Sequence, residues 1–330
     1  MNTYPQNREA LEDGTKCLKL VFCGTPDFAV PTLEALILCH DVALVVTQPD
    51  RAAGRGMELH APPVKQAALA HRIPVVQPEK IKTNPEFRAH LESIRPDAII
   101  VVAYGRIIPR WMLDLPPLGN INLHGSLLPK YRGAAPVQWA VANGDPITGV
   151  TTMRIDEGLD TGDLLLAHTI PIASNETAPD VFRALSDVGA QLMLQTLARL
   201  SAGILAPQPQ DNTQATLAPI LTREDGAIDF TRPAQQIYDR WRGFQPWPGA
   251  HSLLRGKKLI AHRMHIGAAH GPHPGPDPGV LDVPGTELCV GCGHGTSIVF
   301  DEVQMEGKRR MSAAEFLRGF QIRAGERLGL

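Results

Sequence analysis

Gly119 to Pro136 reads GNINLHGSLLPKYRGAAP: a short alternation of polar and apolar residues, then a turn, then small residues and a proline where a helix can begin. If Asn120 to His124 is extended, side chains two apart leave the same face. Asn122 and His124 then project together into a shared space, while Ile121 and Leu123 point the other way, where a core can cover them. Ser126-Leu127-Leu128-Pro129 supplies a turn with a rigid stop. Arg132-Gly133-Ala134-Ala135-Pro136 supplies small residues that let another body approach the backbone. Taken alone, the stretch equally suits a turn-capping asparagine and a histidine satisfied in a core.

Its surroundings favour chemistry at a strand exit. Upstream, short apolar runs alternate with segments of helical spacing. Leu18–Cys23, Val42–Thr47, Ile73–Val76 and Ala98–Ala103 read as strands, and Ala29–Leu38, Val64–His71 and Pro85–Ile94 as helices. AIIVVA at 98–103 is the continuous apolar run of a strand buried on both faces. That order predicts an α/β fold, a Rossmann-like, mostly parallel open sheet with flanking helices, whose ligands bind beyond the strand C-termini. The first turn is GTPDFA, not G-x-G-x-x-G, and its Pro26 and Asp27 speak against a dinucleotide pyrophosphate.

Downstream, Thr148–Ile155 and Leu164–Ile172 read as a hairpin around Asp156-Glu157-Gly158-Leu159-Asp160-Thr161-Gly162-Asp163. An amide, an imidazole and a carboxylate together suit acyl or formyl transfer to an amine. The amide donates to the developing oxyanion, a protonated imidazole helps, and the carboxylate orients the imidazole and can accept the proton the amine loses. Asp160 has glycines on both sides that permit a tight turn. Asp156, Glu157 and Asp163 stay open as rivals on the residues alone.

Asn122-x-His124, SLLP at 126–129, RGAAP at 132–136 and GLDTGD at 158–163 resemble the methionyl-tRNA formyltransferases, within the wider folate-dependent formyltransferases. GTPDFA at 24–29, TQPDRAAGRG at 47–56, FQPWPGAH at 244–251 and KRRMSAAEFLRG at 308–319 extend the resemblance over roughly residues 18–325. It implies that Asn122, His124 and Asp160 are the catalytic set. It also implies that Ser126, Leu127, Leu128 and Pro129 touch a folate carrier, and that the co-substrate is 10-formyltetrahydrofolate with no metal required. The partner implied is initiator methionyl-tRNA, met by the long loop Gln48–Pro63 with Arg51 and Arg55. Where the family's pattern has two lysines after Gly56, this chain has Met57-Glu58, which exchanges basic charge for acidic.

Composition agrees with an ordinary globular protein: 330 residues, 43% hydrophobic, 20% charged. That length predicts two domains. We expect an extension at 1–17, a catalytic domain at 18–205, a linker at 206–224 rich in Ala, Pro, Gln and Thr, and a C-terminal domain at 225–330. No run approaches a membrane span, and Met1–Lys16 lacks a signal peptide's apolar core. A cytoplasmic monomer is expected. Five scattered cysteines argue for a reducing compartment. Cys289-x-x-Cys292 with His294 has metal-like spacing, yet it lacks a second Cys pair and reads equally as two strands about a Gly-rich turn.

Net charge is −2, but residues 1–224 sum to −4 and 225–330 to +2, counting Lys and Arg against Asp and Glu. The basic residues cluster at Arg240 and Arg242, at Arg255, Lys257, Lys258 and Arg263, and at Lys308, Arg309 and Arg310. Such clusters can neutralise RNA phosphates. Short strand-like runs at 251–254, 258–266, 288–290 and 297–303 predict an all-β C-terminal domain, and the resemblance implies an OB-type barrel. Pro179–Ala202 reads as a long amphipathic helix with Phe182, Leu185, Val188, Leu192 and Leu197 inward. Trp241, Phe244 and Trp247 read as packing residues. Ser312 and Glu315 form a capping box for a helix ending near Gly319.

Overall fold

A computed structural model describes residues 16–53, 58–268, 276–323 and 325–329. Residues 1–15 of the expected extension, Arg55, Met57 and 271–275 of the Pro-rich stretch lie outside the described residues, as does the side chain of Glu58. Packing divides the chain into two units. The first runs to Pro136 and takes in Ile147–Pro171 and Phe182–Ala218; the second gathers Val137–Pro146, Ile172–Val181 and Pro219 onward. The second unit therefore includes two short stretches from within the expected 18–205 domain.

The first unit is built on seven strands: β1 (Lys19–Gly24), β2 (Asp41–Val46), β3 (Val75–Val76), β4 (Ala98–Val102), β5 (Asn120–His124), β6 (Ile147–Arg154) and β7 (Leu164–Pro171). Their order is β7-β6-β5-β4-β1-β2-β3, parallel from β3 to β5 and antiparallel at β6 and β7. Every residue of β4 is buried, as its unbroken apolar run requires. Helices α1 (Val30–Cys39), α2 (Pro63–Ala70), α3 (Pro85–Ile94) and α4 (Arg110–Leu113) belong to this unit, whereas α5 (Pro136–Ala142) falls to the second unit from Val137 on, and α6 (Ala178–Ser201) belongs to the first from Phe182 on. α3 starts where the sequence says it should. Asn84 accepts the Phe87 N–H at 3.0 Å, and Pro85 occupies the first turn, where its missing N–H costs nothing.

Both faces of this sheet are covered. On one, Val21, Cys23, Leu44, Ile99 and Val101 meet Phe87 and Leu91 of α3 and Met112 of α4. On the other lies α6. A Cβ on Gly189 would come 2.6 Å from Leu123 Cδ2, so only glycine lets the helix sit this close to β5. Phe182 meets Phe28 edge-on at 5.5 Å, and Ser186 donates to the Phe28 carbonyl at 2.8 Å. Of the expected inward residues, Leu185, Leu192 and Leu197 are buried, while Phe182 and Val188 are half-buried.

The segment 206–224, expected as a linker, is in large part built into the first unit. Gln208 exchanges both backbone hydrogen bonds with Leu164, at 2.8 and 2.9 Å, and Leu217–Ala218 pairs in parallel with Arg132–Gly133. Its prolines and missing periodicity conceal this, because the chain is held by strand addition and not by an amphipathic face.

The second unit carries β8 (His251–Leu254), β9 (Lys257–Ile266), β10 (Leu281–Asp282), β11 (Leu288–Cys292), β12 (Thr296–Met305) and β13 (Met311–Ser312). They form an antiparallel sheet of order β8-β9-β12-β11-β10, with β13 on β12. Leu259, Ala261, Met264, Leu288, Val290, Ile298 and Phe300 make its core. As expected, the C-terminal sheet is antiparallel throughout, and helices α7 (Ala234–Gly243) and α8 (Ala313–Gly319) pack on it. The Ser312–Glu315 capping box is present. α7 escapes the sequence reading, although Ala234, Ile237, Tyr238 and Trp241 carry its helical spacing. Phe244 is buried and Trp241 stacks on Tyr238, whereas Trp247 is 51% exposed, against expectation.

Candidate active site

β5 ends at the strand-exit edge of the sheet, where α/β folds bind ligands. Asn120 is buried and donates to the Met112 and Leu113 carbonyls at 3.0 and 3.1 Å, tying the start of β5 to α4. The alternation of the strand then puts Asn122 and His124 on that same side. Asn122 is half-buried, and among the described residues its amide has no hydrogen-bond partner. His124 is 7% exposed, with Nε2 2.9 Å from the Tyr131 carbonyl and Nδ1 3.7 Å from Asp160 Oδ2. A carbonyl only accepts, so Nε2 carries a proton. A second proton on Nδ1 would face the carboxylate, giving the imidazolium an acceptor at each edge. At 3.7 Å the pair acts through charge and not through a direct hydrogen bond.

The structure brings Asp160, and not its rivals, to His124. Asp160 sits at φ +53°, in the left-handed region, and its Oδ2 accepts the Gly133 N–H at 2.8 Å. Asp156 is spent closing its own loop, accepting from Thr161 Oγ1 at 2.8 Å and from the Gly158 N–H at 3.0 Å. Glu157 is exposed and lies 3.5 Å from Arg110. A Cβ on Gly162 would fall 1.9 Å from the Arg154 carbonyl, so the turn that aims Asp160 needs glycine there.

In the turn after β5, Ser126 is fully buried and its hydroxyl donates to the Lys130 carbonyl at 2.6 Å. Thr151 Oγ1 donates to the Ser126 carbonyl at 2.7 Å and accepts from the Leu128 N–H at 3.2 Å. The Ser126 hydroxyl is thus used internally and Leu128 is buried, while Leu127 and Pro129 are half-buried. Nearby loops are also braced. Gln48 donates to the Tyr104 carbonyl at 3.0 Å and accepts from Arg106 at 3.1 Å, while Asp50 accepts from Gln77 at 2.6 Å and Lys65 at 2.8 Å. Those hydrogen bonds, Gln77 first and Lys65 second, hold the Asp50 carboxyl below its ordinary range.

Residues 18–197 match the formyl transferase family model, and 220–321 match the formyl transferase C-terminal domain. The chain is 62% identical over 313 residues to the methionyl-tRNA formyltransferase of Acidobacterium capsulatum, covering 94% of this chain and 100% of that one. It is 50% identical over 314 residues to that of Solibacter usitatus, covering 94% and 99%. The chain belongs to the methionyl-tRNA formyltransferase family. Among solved structures, an N-formyltransferase from Helicobacter canadensis in complex with folinic acid and dTDP-3-aminofucose shares the fold, with a TM-score of 0.64 at 19% identity over 88% of this chain and 100% of that one. HypX from Aquifex aeolicus in complex with tetrahydrofolic acid gives 0.59 at 16% identity, covering 94% of this chain and 48% of that one.

The basic residues of this formyltransferase separate into two groups. Arg51 is exposed on the strand Arg51–Ala53, which pairs with Glu58–His60 inside the long loop. Lys257 and Lys308 are exposed, Lys258 is half-buried, and none makes an ion pair among the described residues. Arg309 and Arg310 are exposed but paired with Glu315 and Glu302. Arg240 lies over the Phe244 ring at 4.8 Å, and burial foremost lowers its pKa. Arg242 is a correction to the expected phosphate contacts. It is 4% exposed, bonded to Asp239 at 2.5 Å and to the Glu176 carbonyl at 2.5 Å, so its guanidinium is buried within the second unit and not presented at the surface.

Sequence reasoning assigned no role to Gln210, Thr151 or the Tyr131 carbonyl. Their contacts depend on a chain path that residue types alone do not disclose.

Proposed function

We propose that this enzyme transfers the formyl group of 10-formyltetrahydrofolate to the α-amino group of methionine esterified to initiator tRNA, in the cytoplasm, for translation initiation. The observation that carries the reading is the approach of His124 and Asp160 beside the unpartnered amide of Asn122. The formyl donor is a substrate, consumed once per turnover. The half-buried Leu127 and Pro129 offer apolar surface for its flat rings, and the uncommitted amide of Asn122 offers a donor for the formyl oxygen.

The amine attacks the formyl carbon, forming the new C–N bond and leaving negative charge on the formyl oxygen. Asn122 Nδ2 donates to that oxygen, and the positive imidazolium of His124, held by Asp160, favours the same charge. A donor placed this way is worth about 3–4 kcal/mol, roughly a hundred- to a thousandfold in turnover. The attacking nitrogen loses its proton to Asp160, directly or through water. When the old bond from the carbon to N10 breaks, that nitrogen takes up the proton held by Asp160, directly or through water, and the carboxylate is restored. The products are formylmethionyl-tRNA and tetrahydrofolate, with no change of oxidation state.

Exposed Arg51, Lys257 and Lys308, with half-buried Lys258, favour a polyanionic acceptor over a small amine. Transfer of labelled formyl onto charged initiator tRNA, in competition with aminosugar and ribonucleotide amines, tests the reading. Preferential labelling of the small amines would overturn it.

A further inference from the structure

Gln210 lies in the stretch whose composition suggests a mere connection, yet it makes two hydrogen bonds to the loop that carries Asp160. Its Nε2 donates to two carbonyls of that loop, Asp160 at 2.9 Å and Gly162 at 2.7 Å. Its Oε1 accepts from Arg132 twice, from Nε at 3.1 Å and from Nη2 at 2.7 Å. Arg132 has donors only, so the amide can point just one way: oxygen to the guanidinium, nitrogen to the loop. Arg132 is 7% exposed, makes no ion pair among the described residues, and reaches Asn212 Oδ1 at 2.8 Å as well.

We propose that Gln210, oriented by Arg132, is a positioning residue that holds Asp160 in its left-handed conformation and so fixes the carboxylate against His124. The proposal rests on the formyl-transfer reading above and adds the group that sets its carboxylate. Three features of the chain converge on this. Asp160 adopts φ +53°, a conformation that costs a non-glycine residue and persists only where neighbours over-determine it. Its carboxylate is anchored on the Gly133 N–H, and Gly133 adjoins the arginine that orients Gln210. The Gln210 stretch is itself pinned on both sides, by Gln208 to Leu164 and by Leu217–Ala218 to Arg132–Gly133. The clamp therefore grips the loop's main chain through one amide and its carboxylate through the neighbouring peptide.

The test compares Gln210→Ala and Gln210→Glu in steady-state formyl transfer, with the melting temperature measured in parallel. The glutamate variant keeps the contact to Arg132, now as an ion pair, but cannot donate to either loop carbonyl. Both variants should lose about ten- to a hundredfold in kcat, the penalty typical of a slightly misplaced catalytic group. KM for the formyl donor and for the charged tRNA should stay within about threefold. Gln210→Glu should melt near the wild-type temperature, so it carries the test even if the alanine variant folds poorly. Wild-type kcat in Gln210→Glu, or an effect confined to KM, would overturn the proposal. NMR of the His124 ring gives a readout independent of turnover. Its resonances should move in Gln210→Glu as the carboxylate shifts, and unchanged resonances count against the clamp. If wild-type protein transfers no formyl group, the functional reading fails while this spectrum still judges the clamp.

Discussion

The Gly133 backbone N–H donates to Asp160 Oδ2 at 2.8 Å across 27 residues of chain, and the same oxygen lies 3.7 Å from His124 Nδ1. One carboxylate oxygen is thus shared between a peptide that fixes it and an imidazole that uses it. Asp160→Asn keeps the shape and can still accept from Gly133 but loses the charge. We expect its kcat to fall roughly a hundredfold or more, by analogy with loss of an oxyanion-hole donor, with the melting temperature nearly unchanged. Steady-state kinetics and a thermal melt check both halves.

Gly133→Ala should fail for a different reason. The glycine sits at φ +121°, and a Cβ would fall 2.7 Å from the Ala218 carbonyl. The substitution pushes apart the Arg132–Gly133 and Leu217–Ala218 pairing, so stability and kcat should drop together, read by denaturant unfolding alongside kinetics.

Lys257→Ala, Lys258→Ala and Lys308→Ala should each raise KM for the charged tRNA and leave kcat in place. Each should also lower the slope of log affinity against log salt by about one, as expected for loss of one phosphate contact. Filter binding across a salt series reads this.

Arg242→Ala should act on stability instead. With the arginine and Asp239 only 4% and 8% exposed, removing the cation strands a buried carboxylate. Breaking a buried pair in this way costs about 3–5 kcal/mol. Urea titration of the variant measures the loss. Wild-type stability with weakened tRNA binding would return this arginine to the phosphate contacts.

Most of the sheet was legible because its signals are local. The apolar run at 98–102 and the polar alternation at 120–124 each occur within a few residues, and Asn84-Pro85 marks a helix start unaided. Asn122 and His124 shared a face by strand periodicity alone. Asp160 was picked out from three other carboxylates by its glycines and by family resemblance, and its place beside His124 depends on a loop gripped from outside. Gln210 was illegible for the same reason. Nothing in a Pro- and Gln-rich stretch announces that it returns to pair with Arg132–Gly133. Arg242 shows the opposite failure: a cation read as surface charge is internal, because α7 turns it inward to Asp239.

The cysteines offer a check on both cores. Burial, with the charges of Glu287 and Asp282, pushes the Cys289 thiol up to about 11, and burial pushes Cys292 up to about 12. Burial also raises Cys23. At pH 8 these three present almost no thiolate, so iodoacetamide should label half-buried Cys17 and Cys39 first and the others only after unfolding. Folded-state values above the ordinary 9.0 mean that the native state favours the protonated thiols. Stability is therefore complete below that pH and falls as pH rises past it. Mass spectrometry after timed labelling reads the order.

The most direct test is formyl transfer from 10-formyltetrahydrofolate to methionyl initiator tRNA by purified wild-type protein and by Asn122→Ala. We predict rapid transfer by the wild type and a roughly hundred- to thousandfold lower kcat in the variant, the weight of a single oxyanion donor. Full activity in Asn122→Ala, or no transfer to the tRNA by the wild type, would contradict the account.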